Sequence, residues 1–274
     1  MSIQLTAGMR ANLYSLQQTS KMMNLTQNRL SSGKKVNTAL DDPVNFFKAK
    51  DHVDRSSDLS AKKDGMSEAI KTIEAANTGI ESIYSMLDQM KSLASAAKTS
   101  DNTGDLQAQF DSIRTQIGTL ATDSKYGGKN LLGGDALSVE FDENGSHTLS
   151  VAGVTATTAG SFTTSGSGAT TNLIAVANFD SSTSIESAIS EIDTVVGSLR
   201  TEAQKLASSL STISIREDFT DNMINTLNVG ADNLTLADMN EEGANMLMLQ
   251  TRQALGTSSL SLSSQAAQSV LRLF

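Results

Sequence analysis

Residues 185–213 read IESAISEIDTVVGSLRTEAQKLASSLSTI, and their apolar positions decide the fold. The spacing between apolar side chains alternates between four and three residues, which is the 3.5-residue period of helices that pack along one another. Thr183 and Glu186 have the spacing of a capping box, so we predict a helix that starts here and covers residues 184–234. The row of apolar positions, here called a seam, is Ile185, Ile189, Ile192, Val196, Leu199, Ala203, Leu206, Leu210 and Ile213.

The same spacing recurs inside the chain and, with more polar interruptions, at both of its ends. It predicts helices over residues 66–100 and 105–124, with a polar break at 101–104 between them. A second break, framed by Gly33 and Pro43, ends the first helix. The internal seam begins with Met66, Ile70, Ile73, Ile80, Tyr84, Leu87 and Ala94. The end seams are Met9, Leu13, Leu16, Met23 and Leu30, then Met248, Leu255 and Leu262, followed by the apolar Leu271 and Leu273.

Residues 133–183 lack this spacing and contain no Lys or Arg. Apolar and polar residues alternate on both sides of Asn144-Gly145, a favoured hairpin turn, so we predict a β-hairpin. We expect the Gly/Ser/Thr-rich stretch 153–172 to be a flexible surface loop. The predicted fold is therefore mainly α: a long coiled-coil-like helical bundle built from both chain ends, with a small β-rich hairpin region inserted in the middle.

Charge and composition disfavour several functions. A formal net charge of −9 and a pI near 4.7 are unsuited to nucleic acid, because phosphate binding needs clustered Lys and Arg. The chain has no cysteine and two histidines, so thiolate chemistry is excluded and a nitrogen-rich metal site is disfavoured. No apolar run is long enough to span a bilayer, and we expect no membrane insertion.

Residues 1–40 contain no acidic residue but carry several basic ones. An acid-poor amphipathic start also fits an organellar transit peptide. The seam in the same residues favours a retained structural segment instead. The start lacks the apolar core and cleavage site of a secretory signal.

Few residues suggest chemistry. His52 lies between Asp51 and Val53-Asp54, but neighbouring helical residues point to different sides, which favours a solvated polar face over a metal site. Asp142 and Glu143 adjoin a turn that requires polar residues in any case. We expect no catalytic residue, no cofactor and no metal.

Three segments resemble a known family. Residues 30–43, LSSGKKVNTALDDP, closely resemble the N-terminal signature of bacterial flagellins. Residues 236–242, LADMNEE, and 269–274, SVLRLF, are similar to the start and end of the last flagellin helix, and 126–132, YGGKNLL, is similar to the passage into the β region. The signature residues are Leu30, Ser31, Ser32, Gly33, Asn37, Ala39, Asp41, Asp42, Asp238, Glu241 and Glu242.

The resemblance implies a structural subunit that polymerises into the bacterial flagellar filament for swimming motility. It implies terminal helices, 1–40 and 235–274, that are disordered in the free subunit and form the filament core. It also implies a helical rod domain, 41–132 and 184–234, and a β-rich, surface-exposed variable region, 133–183. The expected subunit-packing residues are Met9, Leu13, Leu16, Met23, Leu30, Met248, Leu255, Leu262, Leu271 and Leu273.

Partners and location follow from the same resemblance. The chain is expected to bind copies of itself in a helical homopolymer. An export chaperone on the C-terminal segment and the hook-associated junction and cap proteins are expected as further partners. We expect the subunit to be secreted to the extracellular flagellum without a cleaved signal peptide.

Two other classes remain open from the sequence. The hook-filament junction protein shares the coiled ends and a similar signature, and Pro43 after Asp41-Asp42 leans toward it. The VLRLF ending and the acidic start of the last helix lean toward flagellin. A helical adhesin or coiled-coil binding module is the third possibility.

One departure from the family concerns innate immune recognition. Many flagellins present arginines to a receptor from the first bundle helix, whereas Gln89 and Lys91 stand at the matching positions here. Lysine lacks arginine's planar fork of donors. We therefore predict weak receptor activation.

Overall fold

The computed structural model describes residues 7–156, 162–164, 170–171 and 178–271. Its helices are α1 (Ala7–Ser32), α2 (Pro43–Ala97), α3 (Thr103–Asp123), α4 (Ser182–Thr235) and α5 (Met239–Leu271). Its strands are β1 (Leu137–Glu140), β2 (Thr148–Val151), β3 (Val154–Ala156), β4 (Phe162–Thr164) and β5 (Thr170–Thr171). The chain divides into two compact units. The central unit is Ser56–Asn225, and the terminal unit combines the residues up to Arg55 with those from Thr226 onward. The mainly α prediction is confirmed.

The predicted seams form the core of the central unit. Every second seam position of α4 is almost completely buried, since Ile185, Ile192, Leu199, Leu206 and Ile213 are each at most 2% exposed. The positions between them are half-buried. This alternation is what two rows of a 3.5-residue repeat produce when one row faces the core directly. Of the predicted α2 seam, Ile70 and Tyr84 are half-buried and the other positions are buried: Met66, Ile73, Ile80, Leu87 and Ala94.

Lysines on α2 and just beyond its end pair with acids of α4 in antiparallel order. Lys63 pairs with Asp221, Lys91 with Asp193, and Lys98 with Glu186, the last at 3.0 Å between Nζ and Oε1. Positions on α4 therefore fall as positions on α2 rise. Exposed pairs of this kind contribute little to stability, so the apolar seam holds the two helices and the charges favour one alignment.

Two helix starts differ from the prediction. Helix α2 begins at Pro43 and not at residue 66. The apolar pattern did not predict residues 43–65 as helical, because they bury too few apolar side chains to show a seam. Proline suits this first position, where its missing N–H has no helical partner to lose. Helix α4 begins at residue 182, but its cap is Ser181, whose Oγ accepts the Ser184 N–H at 3.2 Å. The predicted capping role of Thr183 was wrong.

The predicted hairpin is confirmed. Strands β1 and β2 pair antiparallel, with Leu137 opposite Val151 and Val139 opposite Leu149. Gly145 turns the chain with φ of 68°, a conformation that glycine adopts without steric cost.

The predicted loop over 153–172 was wrong in part, because the structure places β3, β4 and β5 there as an antiparallel sheet. Val154 and Ala156 of β3 are at most 2% exposed. Their N–H groups donate to the carbonyls of Leu131 and Leu132, which ties β3 to the segment that follows α3. Short alternation among small residues is a weak sequence signal, which explains the error.

Candidate functional site

The two ends of the chain form a helix pair in the terminal unit. Helices α1 and α5 run antiparallel, with Asn12 Nδ2 donating to Ser259 Oγ at 3.2 Å. A Cβ built on Gly256 would lie 2.6 Å from Leu16 Cδ2, so the glycine lets this leucine approach the α5 backbone closely. The two helices therefore meet with a small residue at the contact.

The seam between α1 and α5 is narrow and partly polar. Met9 and Leu249 are buried in it, but so are Thr19 and Thr26. The buried Thr19 hydroxyl donates a hydrogen bond to the Ser15 carbonyl at 2.9 Å, within the same helix. A seam with threonines at regular intervals buries less apolar area than one of leucines, so it stabilises the pair less.

The inward positions lie one residue away from several of the predicted ones. On α1, Thr19 and Thr26 are buried and Asn12 is half-buried. The predicted seam residue Leu13, next to Asn12, is 41% exposed. On α5, Leu249 is buried and Met248 is 55% exposed. Apolar spacing does not reveal this inward row, because polar and glycine residues occupy much of it.

Apolar side chains consequently line the outward face of the pair. On α5, Met248, Leu255 and Leu262 are 55%, 67% and 65% exposed. Tyr14, Met22, Leu25 and Leu247 are also exposed, and the spacing argument missed them because they lie beside the predicted seam. We call these exposed side chains the outward rows: Leu13, Tyr14, Met22 and Leu25 on α1, and Leu247, Met248, Leu255 and Leu262 on α5.

The other predicted packing residues on α1 are less exposed than the outward rows. Leu16, Met23 and Leu30 are half-buried, and Met9 is buried against α5. The side chains of Leu271 and Leu273 lie outside the described residues. The structure thus divides the predicted set between the inward seam and the outward rows.

Two acidic signature residues begin helices. Asp42 Oδ1 accepts the N–H groups of Val44 and Asn45, both at 3.1 Å, at the start of α2. Asp238 Oδ1 accepts the N–H groups of Asn240 at 2.8 Å and Glu241 at 3.3 Å, at the start of α5. Such caps satisfy helix N–H groups that have no partner within the helix.

Glu242 joins the start of α5 to the end of α1. Its Oε1 lies 3.0 Å from Arg29 Nη1, and the residue is only 7% exposed. Removing one partner of such a pair leaves a poorly solvated charge. The ion pair therefore favours the alignment in which the two chain ends lie together.

Backbone hydrogen bonds make a second connection between the ends. The Lys35 N–H donates to the Thr235 carbonyl at 2.7 Å, and the Ala237 N–H donates to the Gly33 carbonyl at 3.0 Å. Gly33 itself adopts φ of 71°, which stops α1 and turns the chain toward this contact. The signature glycine is thus required by the backbone conformation.

The remaining signature residues build the turn between α1 and α2. Asp41 Oδ2 accepts the N–H groups of Thr38 at 2.9 Å and Asn37 at 3.1 Å, together with the Thr38 hydroxyl. These bonds favour the carboxylate and lower the pKa of Asp41 below its usual range. Asn37 Nδ2 donates in turn to Ser32 Oγ at 2.9 Å. Ser31 is exposed here, and Leu30 and Ala39 are half-buried.

No group of three or more His, Cys, Asp and Glu side chains is placed to hold a metal ion anywhere in the described ranges. His52 is half-buried on α2, where its ring lies near Gly230 of α4. Within the same ranges, no helix combines the length and apolarity needed to cross a membrane.

Comparisons with known proteins agree with this architecture of paired ends. The family described as bacterial flagellin N-terminal helical region matches residues 5–136. Flagellin FljK of Caulobacter vibrioides is 32% identical, in an alignment covering 100% of this chain and 98% of its own length. Flagellin FljO of the same organism is 30% identical with the same coverage. A flagellin of Brucella melitensis is 25% identical over 96% of this chain and 95% of its own. Because these alignments run through both terminal helices and the signature residues that join them, the chain belongs to the bacterial flagellins, the structural subunits of the extracellular flagellar filament.

Proposed function

We propose that this flagellin polymerises by burying the outward rows of α1 and α5 against other copies of the chain. The observation that carries the proposal is the distribution of apolar residues on α5. Leu249 faces inward while Leu247, Met248, Leu255 and Leu262 remain exposed. A helix that exposes a row of apolar residues beside its packed face is stabilised when a partner covers that row.

The energetics favour this use of the outward rows. Full burial of one leucine side chain stabilises by roughly 1.5–3 kcal/mol relative to exposure. Several such side chains per subunit offset the entropy lost on association, which is roughly 4–15 kcal/mol. Subunits that meet through different surfaces, without closing a ring, extend into a helical filament.

We further propose that residues 1–40 and 235–274 are disordered in the free subunit and become ordered on assembly. Support comes from the partly polar seam between α1 and α5, which gives little stability to an isolated pair. Ordering would then be coupled to burial of the outward rows by neighbouring copies. Residues 41–132 and 184–234 would surround this core as a helical rod domain, and residues 133–183 would face outward.

Further partners follow from family membership. An export chaperone is proposed to cover the C-terminal segment before assembly, because exposed leucines on α5 invite unwanted association. Junction and cap proteins are proposed to meet the same rows at the two ends of the filament. We also propose export without a cleaved signal peptide and a purely structural role, with no enzymatic activity.

The prediction of weak innate immune activation is kept as part of this proposal. Gln89 is exposed, whereas Lys91 is half-buried and pairs with Asp193, so the lysine is also engaged within the fold. Reporter cells should respond less to this flagellin than to its Gln89→Arg/Lys91→Arg variant. Equal responses, at the potency of an arginine-bearing flagellin, would contradict the prediction.

The function is tested by adding purified subunits to short sheared filament seeds and following growth by negative-stain microscopy. The intact chain should extend the seeds, and a variant lacking residues 235–274 should not. Leu255→Ser/Leu262→Ser should also fail, whereas Leu255→Met/Leu262→Met, which keeps the apolar area, should grow. Growth of the serine variant at the normal rate would contradict a role for the outward rows. An intact chain that only caps the seeds would favour a junction protein.

A further inference from the structure

We propose that Leu40 of one subunit inserts into a groove on the terminal unit of the next subunit, as a second contact separate from the outward rows. The inference rests on the proposed polymerisation and names a contact within it. Leu40 is here called the knob. The groove is the hollow of about 240 Å³ whose floor and walls include Val36, Ala49, Ala231, Phe46 and Val53.

The knob is an unusually exposed leucine on a turn that hydrogen bonds hold in place. Leu40 is 96% exposed, more than any other large apolar residue in the described part of the chain. The turn that carries it is closed by the Asp41 N–H, which donates to the Thr38 carbonyl at 3.1 Å. The Asp41 carboxylate also accepts both N–H groups of Asn37 and Thr38. Once the terminal unit is ordered, this turn holds the leucine in one place, so docking of the side chain itself costs little further entropy.

The groove is apolar at its base and charged at its edge. Val36, Ala49 and Ala231 on its floor are each at most 5% exposed. Val53 on its wall is 48% exposed and leaves apolar area for a partner to cover. Lys34, Lys50 and Asp232 also line the groove, and Lys50 pairs with Asp54 on the same helix. The size and lining fit one aliphatic side chain.

A second copy of this chain is the occupant that fits. The knob stays fully exposed in its own subunit, so it does not fill its own groove. Asp41 and Asp42 follow the knob directly and would approach the exposed Lys34 of the receiving groove, which is complementary to them in charge. Each subunit presents both a knob and a groove, and a contact between different surfaces extends into a filament when the rotation between copies does not close a ring.

The absence of cysteine allows a direct test. Leu40→Cys subunits and Val53→Cys subunits are copolymerised on seeds, oxidised, and analysed by non-reducing electrophoresis. Covalent dimers are expected from the copolymer and not from filaments of either variant alone. Filaments that yield no dimers would overturn the inference while leaving the polymer function intact. Dimers in Leu40→Cys filaments alone would indicate that knobs meet knobs, which would also overturn it.

A second measurement uses the strength of assembly. Leu40→Ser should raise the critical concentration for filament growth about tenfold or more, because a leucine loses its apolar burial. Leu40→Met should change it by less than about twofold, since it keeps similar apolar area. Equal critical concentrations for serine and methionine would overturn the inference. If the unmodified chain forms no filament, the polymer function and this inference fail together.

Discussion

Glu242 connects the two chain ends through Arg29, and its burial makes the connection sensitive to mutation. Glu242→Ala should reduce the stability of the paired helices by about 2 kcal/mol. This is below the ~3–5 kcal/mol lost when a fully buried pair is broken, because Arg29 is partly exposed. The change is measured as a lower dissociation temperature of filaments. Glu241→Ala, at an exposed neighbouring position, is the control and should leave that temperature nearly unchanged.

Gly153 is a residue whose missing side chain is required by its surroundings. A Cβ at this position would lie 2.1 Å from the Asp135 carbonyl oxygen and 2.7 Å from that of Leu131. Gly153→Ala should therefore destabilise the central unit by at least about 3 kcal/mol, at the upper end of overpacking effects. Thermal unfolding of the free subunit, followed by circular dichroism, measures the change.

Gly65 provides the matched control for that substitution. It lies inside α2, and a Cβ there meets nothing within 4 Å. Gly65→Ala should stabilise the same unit by about 0.5–1 kcal/mol, because alanine is the better helix former. If both variants unfolded at the temperature of the unmodified chain, the close packing around Gly153 would be contradicted.

At the scale of elements, the hairpin β1–β2 has a pH dependence that can be assigned. The Asp142 carboxylate accepts the His147 N–H at 3.0 Å and the Ser146 N–H at 3.1 Å, and these bonds lower the pKa of Asp142. A lowered pKa in the folded chain stabilises the hairpin above the unfolded value of about 3.9. That stability is lost as the pH falls through the folded pKa.

Carbon-13 NMR of the Asp142 carboxyl group checks this assignment. Its titration midpoint should fall below that of an unfolded peptide with the same sequence. In Asp142→Asn, the amide shifts of Ser146 and His147 should lose their dependence on pH in the acid range. A midpoint equal to that of the peptide would contradict the hydrogen-bonded turn.

The elements differ in how far the sequence determined them. Helix α4 was predictable because apolar residues occupy its seam without a gap from Ile185 to Ile213. The helical conformation of residues 43–65 in α2 was not predictable, because few apolar side chains in this segment are buried and no seam appears in the sequence. The strands after Gly153 were missed because carbonyls of Leu131 and Leu132, distant in sequence, pair with β3.

The candidate site shows the same limit. The family signature identified Asp42, Asp238 and Glu242, but spacing alone did not reveal that two of them cap helices and one joins the chain ends. The caps are local contacts that apolar spacing does not detect, and the joining role depends on the Arg29–Glu242 ion pair, whose partners are 213 positions apart. Apolar spacing did not predict which residues of α1 face α5, because Thr19 and Gly256 occupy inward positions and neither is a large apolar residue.

At the scale of the whole molecule, the free subunit and the polymer should differ most at the chain ends. Hydrogen exchange of the free subunit should be fast over residues 1–40 and 235–274 and slow in the core of α2 and α4. In filaments the terminal amides should become protected, because neighbours cover the outward rows. Terminal protection that is equal in both states would contradict ordering on assembly.

The outward leucines of α5 also set a limit on how this protein can evolve. Replacing Leu255 or Leu262 with a polar residue would make the lone subunit less prone to association, yet under the proposed mode of assembly the same change would weaken the contact between subunits. Solubility and adhesion therefore compete at the same side chains. The proposed assembly therefore favours a short interval between synthesis of a subunit and its incorporation, because the exposed leucines invite unwanted association during that interval.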